Sequence, residues 1–204
     1  MYDICIRTAF GIESATAGEL RYLGYRGFTI DNGRILLTGT AYDLACCNLQ
    51  LRTADRVQLR IGDFEAKDLD SLFNGITSLP WGEILPEDAA VTALARLDEG
   101  WMTSGRTTQM LTKKAVLTSL EKKYRISSFP ETGSEYVITT EIKDNRAAVY
   151  LDSSGKGLHK RGYRRRTGGA PIRETVAAAM LLFLRWFGGE KLLDPFCGSG
   201  TIPI

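Results

Sequence analysis

Residues 191–204 read Lys-Leu-Leu-Asp-Pro-Phe-Cys-Gly-Ser-Gly-Thr-Ile-Pro-Ile. A short apolar run, Leu192-Leu193, stops at Asp194-Pro195, where proline cannot continue a central strand ladder. Cys197-Gly198-Ser199-Gly200-Thr201 follows, and its two glycines tolerate positive φ and admit close approach of a ligand to the backbone. A strand that opens at its C-terminal end into a glycine turn is where α/β sheets bind nucleotides. The pattern therefore predicts a strand ending at Asp194, a ligand crevice, and a helix after the turn whose free N–H groups face polar ligand atoms.

Working outward, Pro171 is placed to open a helix, since proline at the first helical position is pre-set in φ. Ile172, Val176, Met180, Phe183, Leu184 and Phe187 follow at helical spacing, Glu174 in the first turn suits the helix dipole, and Gly188-Gly189 is expected to end the helix. Before it, residues 156–166 read Lys-Gly-Leu-His-Lys-Arg-Gly-Tyr-Arg-Arg-Arg, with six cations and no acid. The glycines at 155, 157, 162, 168 and 169 mark a connector rather than a regular element. Such a segment suits phosphate contact, with Tyr163 available to stack on an unpaired base. It equally suits a solvated linker that pairs with acids of its own domains, and charge alone leaves both readings open.

The N-terminal region alternates short elements. Tyr2, Ile4 and Ile6 against Asp3, Cys5 and Arg7 predict a strand, and residues 11–23 a helix ended by Gly24. Asn32-Gly33 is the favoured two-residue hairpin loop, with positive φ expected at both positions. It sets Ile30 opposite Ile35, Phe28 opposite Leu37, and Asp31 opposite Arg34 as an ion pair. Thr40 with Asp43 predicts a capped helix to about Arg52, turning Ala41, Leu44, Ala45 and Cys47 to Leu51 inward. Residues 56–62 alternate as a half-buried strand. Leu69, Leu72, Phe73 and Ile76 give a helix, Pro80-Trp81-Gly82 a break, and residues 91–97 a strand. A longer helix over 108–125 is expected to bury Met110, Leu117, Leu120 and Tyr124. Two strands, 136–142 and 147–151, meet at Asp144-Asn145.

Hydrophobic content of 44% and charged content of 25% over 204 residues belong to a globular protein. No run of eighteen apolar residues exists, so no membrane span is expected, and Asp3 with the immediate alternation argues against a leader peptide. Cys5, Cys46, Cys47 and Cys197 form no C-x-x-C pair, and one histidine is present. That usage predicts reduced thiols, no metal site and a cytoplasmic setting.

The string Asp194-Pro195-Phe196-Cys197-Gly198-Ser199-Gly200-Thr201 resembles the first S-adenosylmethionine-binding motif of class I methyltransferases, in the form used by RNA guanine-N2 methyltransferases. Leu158-His159-Lys160-Arg161-Gly162-Tyr163-Arg164 looks like the junction of THUMP-domain RNA methyltransferases. Ala170-Pro171-Ile172-Arg173-Glu174-Thr175 is similar to the opening of their first catalytic-domain helix, which in relatives lies beside the cofactor. Gly11-Ile12-Glu13, Glu19-Leu20 and Leu23-Gly24-Tyr25 resemble their ferredoxin-like entry. Taken together, the chain closely resembles the N-terminal part of the bacterial large-subunit ribosomal RNA guanine-N2 methyltransferases of the RlmL type.

The resemblance implies an α+β protein: a ferredoxin-like unit over 1–55, a THUMP RNA-binding domain over 56–153 and a basic linker over 154–170. Residues 171–204 would then be the first helix and strand of a Rossmann-like α/β methyltransferase domain cut short. It assigns Asp194, Phe196, Cys197, Gly198, Ser199, Gly200 and Thr201 to S-adenosylmethionine. It assigns Lys113, Lys114, His159, Lys160, Arg161, Tyr163, Arg164, Arg165 and Arg166 to RNA, ribosomal first and transfer second. Relatives carry an N/D-P-P-Y catalytic motif downstream, and no Pro-Pro occurs here, so no catalytic residue is assigned. The expectation is an enzyme portion that binds structured RNA with steep salt dependence and transfers no methyl group alone. The alternatives are a stand-alone RNA-binding THUMP module without catalysis, or a transfer RNA guanine-N2 methyltransferase.

Overall fold

The computed structural model describes residues 1–98, 100–162 and 171–203. They fall into two compact units, Met1–Gln58 with Ser153–Ile204, and Leu59–Asp152.

In the first unit the order is β1 (Tyr2–Thr8), α1 (Glu13–Tyr22), β2 (Thr29–Asp31), β3 (Arg34–Gly39), α2 (Ala41–Gln50) and the start of β4 (Ala54–Glu65). With strand order β2-β3-β1-β4, this is the ferredoxin-like βαββαβ arrangement expected. β1 and β3 pair antiparallel from Tyr2↔Gly39 to Arg7↔Arg34. Ile4 and Ile6 are buried as the alternation predicts, but so are Cys5 and Arg7. Both faces of β1 are therefore covered, and the buried Arg7 guanidinium donates from Nε to Gln58 Oε1 at 3.0 Å. Alternation reports polarity, and a polar side chain with a partner inside is tolerated there.

The β2–β3 hairpin keeps the expected register and the Asp31–Arg34 ion pair at 2.7 Å. Its turn differs from expectation, because only Gly33 has positive φ (68°). The loop is held from outside: Gly33 N–H donates to Glu13 Oε1 at 2.7 Å, and Thr8 N–H donates to Gly33 O at 3.0 Å. Ile30, at the outer strand of this order, stays 45% exposed, and β2 does not reach Phe28. The Thr40–Asp43 capping box is formed, but of α2 only Cys47 is buried, while Ala41, Ala45 and Leu49 face solvent. The helix rests on its sheet by a narrower stripe than its apolar content suggested. Burial, with Asp43 nearby, pushes the Cys47 thiol up to about 12, so it stays protonated.

The last element, α6 (Glu174–Phe183), also belongs to this unit. Ala179 packs with Ile12 and Ala15 of the α1 region, and the buried positions of α6 are Thr175, Ala177 and Ala179. Its small residues, not its large ones, make the close approach. The predicted stripe therefore points outward, with Met180 (42%), Phe183 (51%) and Phe187 (80%) exposed. Pro171 lies before the N-cap Arg173 rather than inside the helix. The helix stops before Gly188-Gly189: Arg185 takes φ 53°, Arg185 N–H bonds Leu182 O, and Trp186 N–H bonds Leu181 O. This is a Schellman ending with arginine where glycine is usual.

The second unit takes the rest of β4 through α3 (Leu69–Thr77), α4 (Trp81–Ile84), β5 (Ala90–Leu97), α5 (Gly105–Tyr124), β6 (Glu135–Lys143) and β7 (Arg146–Asp152), in strand order β4-β7-β6-β5. β5 and β6 are parallel, which requires the α5 crossover, and β6–β7 is an antiparallel hairpin. Asp144 (φ 47°) and Asn145 (φ 60°) supply the two positive-φ positions that Asn32-Gly33 does not. Pro80-Trp81-Gly82 is no mere break. Trp81 opens α4 fully buried, and its Nε1–H donates to Ile76 O at 2.8 Å. Along α5 the buried positions are Thr108, Thr112, Ala115, Val116 and Leu120, while Met110 is 66% exposed. Leu117, Leu120 and Tyr124 of the expected stripe do meet the core, and threonines join them because their hydroxyls find partners inside: Thr112 Oγ1 meets Thr140 Oγ1 at 2.8 Å.

Candidate functional site

The glycine turn adopts part of its expected geometry. Gly198 and Gly200 have φ of 53° and 76°, the left-handed region that favours glycine, and a Cβ on Gly200 would meet nothing within 4 Å. Asp194 Oδ1 accepts the Phe196 N–H at 3.1 Å, Gly200 N–H bonds Cys197 O at 2.7 Å, and the Ser199 and Thr201 hydroxyls lie 3.4 Å apart. These contacts hold the loop through its own residues. The flanking elements differ from expectation. Leu192-Leu193 forms no strand, with Leu193 85% exposed, and the described residues after Gly200 form turns rather than a helix. A strand exists only by pairing with neighbours, and no described residue pairs with 191–194.

Thr201 is buried, whereas Phe196 is 93% exposed and Cys197 is exposed. Thr201 and Ile202 line a cavity of about 510 Å³ with Glu174, Ala177 and Leu181 of α6 and with Trp186. The two stretches read as cofactor-adjacent, the start of α6 and the glycine turn, thus share one concavity. Its size lies in the range of small-molecule sites. Of the seven cofactor candidates Thr201 alone lines it; Asp194, Phe196, Cys197, Gly198, Ser199 and Gly200 do not.

Asp55, at the entrance of β4, organises the same region. Its Oδ1 accepts from Thr175 Oγ1 at 2.8 Å, its Oδ2 lies 3.5 Å from Arg173 Nη1, and its carbonyl accepts Leu158 N–H at 2.9 Å. His159 Nδ1 is buried 4.0 Å from Asp55 Oδ1, without a hydrogen-bond partner. Asp55 was not legible as a site residue, because its partners lie more than a hundred positions away. Glu19 was missed because its partners, 33 and 34 positions away, are brought to it only by the fold. Its buried carboxylate accepts from Arg52 Nε, Arg52 N–H, Thr53 N–H and Thr53 Oγ1.

The RNA candidates divide. Arg161 turns its guanidinium inward, onto the carbonyls of Asn48, Leu49 and Leu51 at the end of α2. Lys160 is exposed. In the other unit Lys113 pairs with Glu131 at 2.8 Å, and Lys114 lies 6.0 Å over the Phe73 ring. Burial alone would raise the Glu131 carboxyl, but Lys113 and the Val91 N–H outweigh it and hold the group below the usual carboxylate range. Tyr163, Arg164, Arg165 and Arg166, with Ala170, lie outside the described residues. Among the described residues, no cluster of three His, Cys, Asp or Glu could hold a metal ion, and no helix is long and apolar enough to cross a membrane.

Residues 3–58 match the RlmL ferredoxin-like domain, and residues 161–204 match the RMKL-like methyltransferase domain. The chain is 38% identical over 205 residues to the Bacillus subtilis protein named "Putative RNA methyltransferase YpsC", covering 100% of this chain and 53% of that one. It is 31% identical over 210 residues to "Ribosomal RNA large subunit methyltransferase K/L" of Magnetococcus marinus, covering 100% and 29%. Its fold is similar to that of a Listeria monocytogenes protein named a "predicted N6-adenine-specific DNA methylase" (TM-score 0.92, 37% identity, 99% and 53% covered). It is also similar to a "putative methyltransferase complexed with SAH" (TM-score 0.91, 35% identity, 98% and 53% covered). The chain spans about half the length, or less, of these relatives.

Proposed function

We propose that this chain is the RNA-binding and cofactor-entry portion of an S-adenosylmethionine-dependent RNA methyltransferase acting on guanine N2 of large-subunit ribosomal RNA, with Leu59–Asp152 as its THUMP domain. The observation that carries the reading is the convergence of Thr201, from the glycine turn, and Glu174, from the first turn of α6, on one cavity. Matches to an RlmL ferredoxin-like domain and an RMKL-like methyltransferase domain at the two ends of the chain support it. A relative named for large-subunit ribosomal RNA supports the substrate.

The residues present suit the cofactor in part. Open space at Gly200 leaves room for a ligand against the backbone, and Glu174 and Thr201 offer polar atoms to the cavity. When bound, the cofactor supplies an electrophilic methyl group. The contribution of this chain is to orient it and to hold the RNA, and such positioning is a large part of the barrier in group transfer. The target base is reached unpaired or flipped from its stack.

The test is binding of the 204-residue chain to a large-subunit ribosomal RNA fragment, a transfer RNA and duplex DNA between about 50 and 200 mM salt. The ribosomal fragment is expected to bind tightest, with affinity falling steeply as salt rises. Preference for transfer RNA shifts the substrate. Preference for duplex DNA, the substrate class in the name of the Listeria protein, overturns the RNA reading. No methyl transfer by this chain alone is expected, because the N/D-P-P-Y motif of relatives is not in it.

A further inference from the structure

The net charge of the chain is carried by one short segment. Leu59–Asp152 holds 11 Lys and Arg against 15 Asp and Glu, a formal −4, and the other unit holds 15 against 9, a formal +6. Residues 156–166 contribute six of those 15 cations and no acid, so the remainder of that unit is balanced, nine against nine. Long-range attraction of a polyanion therefore depends on 156–166.

Its described part is not a loose tether. Asn48 donates from Nδ2 to Ser153 Oγ at 2.9 Å and accepts at Oδ1 from Ser154 Oγ at 2.8 Å. Ser153 N–H bonds Val57 O, Val57 N–H bonds Ser154 Oγ, and Arg56 Nη1 bonds Gly155 O. Leu158 is buried, and the His159 ring lies so close to Gly157 that a Cβ there would fall 2.7 Å from Cε1. At the far end Arg161 spends three N–H groups on three carbonyls, at 3.1, 3.1 and 2.6 Å, where the α2 dipole favours a cation. Lys156 and Lys160 are exposed between these anchors.

We infer that residues 153–161 form an anchored strap that presents Lys156 and Lys160 to the RNA phosphate backbone, with Arg161 as the positioning residue that fixes it rather than a phosphate ligand. Three of the five N–H donors of Arg161 are taken by these carbonyls, so it has fewer left for a phosphate than the exposed lysines beside it. A lysine, a point charge with three rotatable donors, cannot span the same three oxygens. The inference rests on the RNA reading above and assigns different work to cations that composition treats alike.

The experiment compares the wild-type chain with Arg161→Lys and Lys160→Gln, by anisotropy with a structured RNA across the same salt range and by trypsin cleavage rates without RNA. Arg161→Lys keeps the charge, so affinity falls about tenfold, the scale of a lost charge-assisted bond, while the slope of log affinity against log salt is unchanged. Cleavage after Lys160 accelerates several-fold. Lys160→Gln lowers that slope by about 0.7–0.9 and leaves cleavage after Lys156 unchanged. If Arg161→Lys binds and is cleaved like wild type, or if only its melting temperature falls, the inference is overturned. It is equally overturned if Arg161→Lys lowers the salt slope by about one contact's worth. No RNA binding by the wild-type chain overturns the RNA reading, and with it the presentation of Lys156 and Lys160 to phosphate. The cleavage rates separate the two failures, because they report the anchor without RNA.

Discussion

Each unit ties a helix down through a buried pair of threonine hydroxyls, Thr112 of α5 with Thr140 of β6 at 2.8 Å in Leu59–Asp152, and Thr16 of α1 with Thr53, just before β4, at 2.7 Å in the other. Their surroundings differ. The first pair sits in a unit whose core is apolar, with Trp81, Leu120 and Ile138 fully buried. At the second, Thr53 gives its proton to Glu19, so Thr16 donates to Thr53 and the pair becomes part of a polar clamp. Glu19, Asp55, Asn48 and Arg161 repeat that device through the first unit. Apolar burial is non-directional and roughly proportional to area, whereas hydrogen-bonded clamps hold particular atoms at particular distances. The cavity beside the glycine turn and the basic strap both belong to the clamped unit, where position matters more than bulk.

Substitutions break or sharpen this contrast. Trp81→Ala, which empties a fully buried site and deletes the bond to Ile76 O, is expected to cost about 3–5 kcal/mol in urea unfolding. A loss below about 1 kcal/mol would mean that the Leu59–Asp152 core is not what holds that unit. Glu19→Ala strands the Arg52 and Thr53 N–H donors and should cost about 2–4 kcal/mol. If it proves neutral, the clamp is ornamental and the comparison fails. Gly200→Ala meets no neighbour, so its penalty is conformational, about 1–2 kcal/mol for left-handed backbone. It is read as faster amide exchange over 194–203 with an unchanged melting temperature.

The smallest effect is at Lys113. Glu131 titrates below its unfolded value, so its contribution is complete above the ordinary glutamate pKa of about 4.3. That contribution is lost as pH falls through the folded-state value. Lys113→Met should make this acid-side loss shallower and lower the melting temperature at neutral pH by only about 1–2 °C. An unchanged acid limb in thermal melts would show that the pair does not contribute in solution.

Local chemistry was legible where it acts over a few residues. The Thr40–Asp43 capping box, the Gly24 ending of α1, the Asp31–Arg34 pair and the β6–β7 hairpin all followed from neighbours in sequence. The misreadings share a cause. Met110 and Phe183 sit at core spacing yet face out, because Thr112 and Ala179 make the closer approach, and spacing reports a periodicity without its phase. Trp81 looked like part of a break because its burial depends on Ile76 O and on the surrounding core. In the glycine turn, the positive φ at Gly198 and Gly200 was readable, whereas the shared cavity of Thr201 and Glu174 was not.

By itself the sequence determined the alternation of short strands and helices in the first unit, the caps and turns, the glycine conformations at 198 and 200, and the concentration of positive charge at 156–166. These depend on backbone sterics, on hydrogen bonds within a turn, and on composition. Only the tertiary structure decided that Arg161 is an anchor while Lys160 stays exposed, that Asp55 ties the strap to α6, and that Leu192-Leu193 forms no strand. A charge looks the same in sequence whether it faces a carbonyl or water, and a strand is defined by neighbours that the sequence places far away.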